Sequence, residues 1–159
     1  MGRNVLLWNP MSSKKKEASG RQILVVDDEP AVCGAIKMML EFDGHEVQTA
    51  SSGKEALILL EQSRFDVVFT DYSMSEMKGD KLAVAIKQRL PGLPVVMITA
   101  HADVLKASGN PLTGVDFLIN KPFLLEDLRQ AIVWVLPITG KPNAADSQSG
   151  IRRSDGGTC

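Results

Sequence analysis

Four apolar runs of this sequence lead into residues that can bind a cation or attack an electrophile. In chain order, these residues are Asp27 with Asp28, then Asp71, Thr99 and Lys121. Each type also has an ordinary interpretation: an aspartate can form a turn or cap a helix, a threonine suits a strand, and a lysine suits a solvated loop. They indicate a site only if the fold brings them to one place.

The elements that must position these residues are five predicted strands alternating with five predicted helices. Short runs rich in valine, isoleucine and phenylalanine predict the strands, at 23–26, 45–50, 65–71, 95–100 and 116–119. Apolar residues at helical spacing predict the helices, at 31–41, from 52 to about 60, at 79–90, 102–108 and 124–136. This alternation predicts an α/β domain with a parallel five-stranded sheet, because crossover helices join parallel neighbours.

The carboxyl ends of parallel strands share one edge of the sheet, and ligands bind there near the point where strand order reverses. Three aspartates gathered at that edge would repel one another unless their pKa values rise or a divalent cation binds their oxygens. A hard cation such as Mg²⁺ fits best, since no histidine or cysteine accompanies the acids. With Lys121 and Thr99 facing an ionised Asp71, this predicts a pocket for a transferring phosphoryl group and Asp71 as its nucleophile.

From Arg21 to Leu136 the sequence resembles the receiver domain of two-component response regulators. The matching motifs are Asp27-Asp28-Glu29-Pro30, Asp71 with Met74 and Gly79 behind it, Thr99-Ala100, and Lys121-Pro122-Phe123. The resemblance implies a flavodoxin-like, doubly wound parallel sheet of strand order 2-1-3-4-5 with five helices. It also implies that Asp71 accepts a phosphoryl group from a sensor histidine kinase or a histidine phosphotransfer protein.

The same resemblance implies how the metal and the lysine are held. Mg²⁺ or Mn²⁺ would be bound by Asp28, Asp71 and the backbone carbonyl of Ser73, with Asp27 acting through water. A cis bond between Lys121 and the proline after it would aim the ammonium group at the phosphoryl group.

Several positions near the site tune the output of the family or depart from its pattern. Ser73 and His101 stand where the family tunes phosphate lifetime by orienting or blocking water, although His101 also fits an exposed loop histidine. Ser75 stands where the family usually has proline, which predicts a less rigid loop behind the nucleophile. Leu118 replaces the usual aromatic switch residue, and Phe117 should point to the other face of its strand. The output surface, with its short fourth helix, is therefore predicted to be the least typical part.

Composition indicates one globular domain, with an N-terminal arm over 1–21, the receiver over 22–136 and a disordered tail over 137–159. A chain of 159 residues that is 44% hydrophobic with a net charge of -1 suggests neither nucleic acid nor a membrane as a direct partner. The cysteines lack metal or redox spacing and no apolar run reaches about 18 residues, which predicts a cytoplasmic protein. We expect Cys33 to be a buried helix residue, Trp134 to be a core or helix-face residue and not part of a cofactor site, and Val133 to lie on the apolar side of the fifth helix.

The preferred function is a stand-alone response regulator, which catalyses only its own phosphorylation and dephosphorylation. It would signal by contact with a downstream protein target or by onward phosphotransfer. Two alternatives stay open: a phosphorylation-independent adaptor, and a receiver excised from a longer hybrid kinase or regulator. A phosphatase of the haloacid dehalogenase type would need an aspartate where Ser73 stands, and a flavodoxin-like flavin or nucleotide binder would need a glycine-rich phosphate loop after the first strand.

Overall fold

The computed structural model describes residues 20–109 and 112–137, in which five strands alternate with five helices. The strands are β1 (Gln22–Val26), β2 (Glu46–Ala50), β3 (Val67–Asp71), β4 (Val95–Thr99) and β5 (Phe117–Asn120). The helices are α1 (Pro30–Phe42), α2 (Gly53–Gln62), α3 (Gly79–Arg89), α4 (Ala102–Ala107) and α5 (Leu125–Val135). Almost all of the predicted arm and tail lies outside the described residues.

The five strands form one parallel sheet in the order β2-β1-β3-β4-β5, which confirms the predicted topology. Strand order reverses beside β1, because β2 pairs with one of its edges and β3 with the other. The central strands β3 and β4 are buried at every residue. Continuous runs of valine, isoleucine and phenylalanine suit that place, since helices cover both faces of a parallel sheet.

Two apolar layers hold the sheet, because successive side chains of a strand point to opposite faces. On one face, β-strand side chains pack with α1 and α5, and the buried members include Ile23, Val25, Ile36, Leu40, Phe69, Ile98 and Leu128. On the other face they pack with α2 and α3, and the buried members include Leu24, Val26, Ala56, Val68, Leu82 and Ile86. Cys33 lies in the first layer, as predicted.

The element boundaries follow from local chemistry. Pro30 begins α1, where its missing N–H is not needed, and the Ser52 hydroxyl caps α2 by accepting the N–H of Glu55 at 3.1 Å. The predicted third strand was two residues too long: its pairing with β1 begins at Val67, opposite Ile23, and the carboxylate of the preceding Asp66 accepts the N–H of Gln22 at 2.7 Å. Helix α4 has only six residues, as its glycines and proline predicted. No helix of the described ranges is long and apolar enough to cross a membrane.

The C-terminal helix corrects one prediction about the core. Leu128 and Ile132 of α5 are buried, whereas Val133 is 68% exposed and Trp134 is 77% exposed. The prediction that Val133 lies on the packed side of this helix is therefore wrong, and Trp134 is a helix-face residue outside the core. Apolar residues occupy more than one face of this helix, and so their spacing alone allows more than one rotation about its axis. The Trp134 ring instead lies against the edge of the sheet, 6.4 Å from the ring of Phe117.

Candidate functional site

Three aspartates meet where β1 and β3 end. Asp27 and Asp28 follow β1, Asp71 is the last residue of β3, and the two strands pair directly, with Val26 opposite Thr70. One carboxylate oxygen from each aspartate lies within 4.8 Å of the other two. The predicted cluster therefore forms, beside the strand where the order of the sheet reverses.

Lys121 reaches the cluster from the loop after the edge strand β5. It follows β5, and its backbone N–H donates to the carbonyl of Thr99 at 2.9 Å, which fixes the start of the loop. Its Nζ lies 2.9 Å from Asp71 Oδ1 and 3.8 Å from Asp27 Oδ2. The bond to Pro122 is cis, as the resemblance implied. Burial alone would lower the pKa of the Lys121 ammonium, but the hydrogen bond and charge of Asp71 raise it, so Lys121 is a cation at neutral pH.

Asp27 is the most deeply buried acid of the group, with 4% of its surface exposed. Burial raises the pKa of Asp27, and the charge of Asp71 raises it further. The N–H of Glu29, which donates to Asp27 Oδ1 at 2.9 Å, and the Lys121 ammonium oppose this shift. An ionised Asp27 is thus costly here, and a bound cation would relieve that cost.

The donor set suits a hard divalent cation. Within the described residues the cluster contains three carboxylates and no histidine or cysteine ligand, a set that fits Mg²⁺ or Mn²⁺ better than zinc or copper. Cys33 lies close by, but its thiol donates to the carbonyl of Asp27 at 3.3 Å, and burial raises the pKa of that thiol. Asp28, Asp71 and a backbone carbonyl could hold the ion; that the carbonyl is that of Ser73 stays a prediction.

Thr99 lies at the same edge, because β3 and β4 pair with Asp71 opposite Ile98, the residue before Thr99. The threonine is buried, and its Oγ1 accepts the backbone N–H of His101 at 3.1 Å. That bond orients the hydroxyl and leaves its proton for an acceptor in the site. The contact of His101 with the site therefore runs through its backbone, whereas the residue itself is exposed.

The loop between β3 and α3 contains a contact that the sequence did not predict. The backbone N–H of Ser75 donates to Asp28 Oδ2 at 3.1 Å and so links this loop to the loop after β1. At the end of the loop, the N–H of Gly79 donates to the carbonyl of Tyr72 at 3.0 Å. The sequence showed only that the first contact is possible. Proline, which the family pattern has at position 75, has no backbone N–H to donate, whereas serine has one.

The predicted switch position lies away from the acids, on the edge strand β5. Leu118 is half-buried and lines an open cleft together with Leu105 of α4 and Leu112. Phe117 packs with the layer formed by α1 and α5, so the prediction that it points to the other face of the strand is confirmed. A role for Leu118 in signalling stays a prediction.

Replacing Asp27 with asparagine is expected to stabilise the metal-free protein by about 1 kcal/mol at neutral pH. The variant keeps an oxygen to accept the N–H of Glu29 but removes a buried negative charge beside Asp71. In the presence of a chelator, the variant should unfold at a higher urea concentration than the wild type. Added Mg²⁺ should make the difference between the two midpoints smaller. An unchanged or lower midpoint would mean that the attraction of Lys121 for Asp27 outweighs the cost of burial.

Comparison with known proteins agrees with this geometry. A family model described as the response regulator receiver domain matches residues 23–133. The transcriptional regulatory protein GlrR of Escherichia coli (strain K12) is 36% identical over 110 residues, which cover 69% of this chain and 25% of GlrR. The chain thus spans about a quarter of the length of that relative.

Solved structures show the same likeness. A response regulator receiver domain protein from Clostridium thermocellum is 37% identical, with a TM-score of 0.65 over 70% of this chain and 90% of that one. The response regulator protein TrrA of Thermotoga maritima, solved in complex with Mg(2+)-BeF, is 28% identical, with a TM-score of 0.67 over 73% of this chain and 99% of that one. The residues matched by the family model, 23–133, include the acids, the threonine and the lysine.

Proposed function

Because this chain belongs to the response regulator receiver domain family, we propose that it accepts a phosphoryl group on Asp71 and signals through altered protein contacts or onward phosphotransfer. The proposed donor is a phosphohistidine of a sensor histidine kinase or of a histidine phosphotransfer protein. The proposed receiver of the signal is a downstream protein target. The chain would turn over no metabolite and would catalyse only its own phosphorylation and dephosphorylation.

One observation carries the proposal: the Asp71 carboxylate lies in a cluster of three aspartates and is paired with Lys121 Nζ at 2.9 Å. A turn or a helix cap requires neither the other two acids nor a half-buried ammonium group. Such a cluster is costly to the metal-free fold, since like charges repel and Asp27 is buried. Costly groups of this kind gather at functional sites, where they serve chemistry at the expense of stability.

In the proposed reaction, an Asp71 oxygen forms a bond to phosphorus while the bond from phosphorus to the donor imidazole nitrogen breaks. The imidazole leaves with the electron pair of that bond. The Lys121 ammonium group, which is hydrogen-bonded to Asp71, would pair with a negatively charged oxygen of the phosphoryl group. The Thr99 hydroxyl would donate a hydrogen bond to a second phosphoryl oxygen. Both groups would stabilise charge that grows in the transition state.

A divalent cation held by Asp28, Asp71 and the Ser73 carbonyl, with Asp27 acting through water, would neutralise phosphoryl oxygens and lower the mutual repulsion of the acids. Hydrolysis would return the carboxylate when water attacks the phosphorus of the aspartyl phosphate. Ser73 and His101, both exposed, follow Asp71 and Thr99 by two residues each, and we propose that they tune access of this water.

Removing the divalent cation is expected to lower the rate of phosphoryl uptake at least about tenfold. The protein is incubated with acetyl phosphate, whose phosphorus–oxygen bond to acetate breaks as the bond to Asp71 forms. Intact mass spectrometry then follows the gain of one phosphoryl group, with Mg²⁺ and with a chelator. A folded protein that gains no phosphoryl group from acetyl phosphate with Mg²⁺ would contradict the proposed function.

A second candidate function is a phosphorylation-independent adaptor, favoured by the six-residue helix α4 and by Leu118 at the switch position. A pull-down with and without beryllofluoride, a phosphoryl mimic, separates the two. A phosphorylation-controlled regulator should capture its target better with beryllofluoride, and Asp71→Ala should abolish that gain. An adaptor would bind its target equally in all of these samples.

A further inference from the structure

The hydrogen bond from the Ser75 N–H to Asp28 Oδ2, 3.1 Å long, connects two loops that meet over the acid cluster. Asp28 belongs to the loop between β1 and α1, and Ser75 belongs to the loop between β3 and α3. The residues are 47 positions apart in sequence, so neither strand nor helix geometry requires the contact. The Ser75 residue is exposed, and the bond uses only its backbone.

Each of the three acids has one oxygen engaged by a donor, and the three donors differ in origin. Asp27 takes the N–H of Glu29, two residues away in its own loop, at 2.9 Å. Asp71 takes the Lys121 ammonium group at 2.9 Å. Among these donors, the Ser75 amide is the one that comes from the same loop as the proposed Ser73 carbonyl ligand. The bond therefore ties Asp28, one proposed ligand, to the loop that carries another.

We infer that the backbone N–H of Ser75 is a positioning group for the metal site of this chain. This inference rests on the proposed function, in which Asp28 and the Ser73 carbonyl hold the cation. By engaging Oδ2, the amide limits rotation of the Asp28 carboxylate and keeps it beside Asp27 and Asp71. Donors that hydrogen-bond a ligating carboxylate orient it, and their loss weakens metal binding.

The inference concerns this chain, because the family pattern has proline at position 75 and proline has no N–H to donate. A proline ring carbon would also occupy the place of the amide hydrogen, which points at an oxygen only 3.1 Å from the nitrogen. The Asp28 carboxylate would have to move away from a proline at this position. A less rigid loop, expected from Ser75, stays a prediction; the structure adds a hydrogen bond from this loop to a proposed ligand.

Two substitutions at one position separate the backbone from the side chain. Ser75→Pro removes the N–H and is expected to weaken Mg²⁺ binding, measured by calorimetry without any phosphoryl donor, roughly tenfold. Ser75→Ala removes the hydroxyl and keeps the N–H, and so it should bind Mg²⁺ within about twofold of the wild type. Ser75→Pro that binds as tightly as Ser75→Ala, or more tightly, would overturn the inference.

A second measurement does not depend on the folding of the proline variant. In nitrogen-15 NMR spectra of the metal-free protein, the amide hydrogen of Ser75 should exchange with solvent more slowly than is usual for an exposed loop residue. Asp28→Ala should shift that resonance and speed its exchange, and an unchanged Ser75 amide would overturn the inference. Failure of the wild-type protein to bind Mg²⁺ at all would count instead against the proposed function.

Discussion

In the Asp71→Asn variant, phosphoryl uptake from acetyl phosphate is expected to fall about a hundredfold or more, to the level of a sample without acetyl phosphate. Asparagine has nearly the shape of aspartate and can still accept a hydrogen bond from Lys121, so the site should keep its form. An amide, however, is a very poor nucleophile toward phosphorus and cannot form the acyl phosphate. Intact mass spectrometry measures the loss directly.

The matched control for this prediction is Asp103→Asn, at an exposed aspartate in the first turn of α4. It makes the same chemical change outside the acid cluster and should take up phosphoryl groups within about twofold of the wild-type rate. Urea unfolding of both variants checks that each is folded. Continued uptake by folded Asp71→Asn would assign the acceptor to another carboxylate, with Asp28 or Asp27 the next to test.

The Gly79→Ala variant is expected to lose about 3 kcal/mol of unfolding free energy, a fall in melting temperature of roughly 10 °C. A Cβ at Gly79 would overlap the carbonyl oxygen of Asp71 and lie 3.1 Å from the Cα of Tyr72. These are backbone atoms, which cannot rotate aside, so α3 and the end of β3 must separate. Because Asp71 belongs to that strand end, phosphoryl uptake should fall together with stability.

Gly34→Ala is the matched control, since it makes the same change in the middle of α1. A Cβ at Gly34 would meet nothing within 4 Å, and alanine is the better helix former, so stability should rise by about 0.5–1 kcal/mol. Thermal unfolding of the two variants should therefore shift in opposite directions. If Gly79→Ala unfolded at the wild-type temperature, the close contact between α3 and the end of β3 would not be essential to the fold.

The elements and their alternation along the chain could be predicted because their causes are local, whereas the strand order 2-1-3-4-5 was implied by the resemblance to receiver domains. Runs of β-branched residues predicted the buried strands, and the alternation with helices predicted a parallel sheet, as observed. Once the sheet is parallel, residues that follow its strands must share an edge, which is why Asp27, Asp28, Asp71 and Lys121 were expected together. The prediction failed where apolar residues cover more than one helix face: the exposed Val133 shows that spacing alone does not determine the rotation of α5.

By itself, the sequence determined the chemistry available: three carboxylates, a hydroxyl and an ammonium group, each placed at or just after the end of a strand. The tertiary structure decided which oxygen of each acid meets which donor, because those contacts join loops far apart in the chain. The pairing of Lys121 with Asp71 at 2.9 Å and the bond from Ser75 to Asp28 at 3.1 Å are of this kind. The second uses a backbone N–H that every residue except proline carries, so residue type could permit the contact but could not predict its partner.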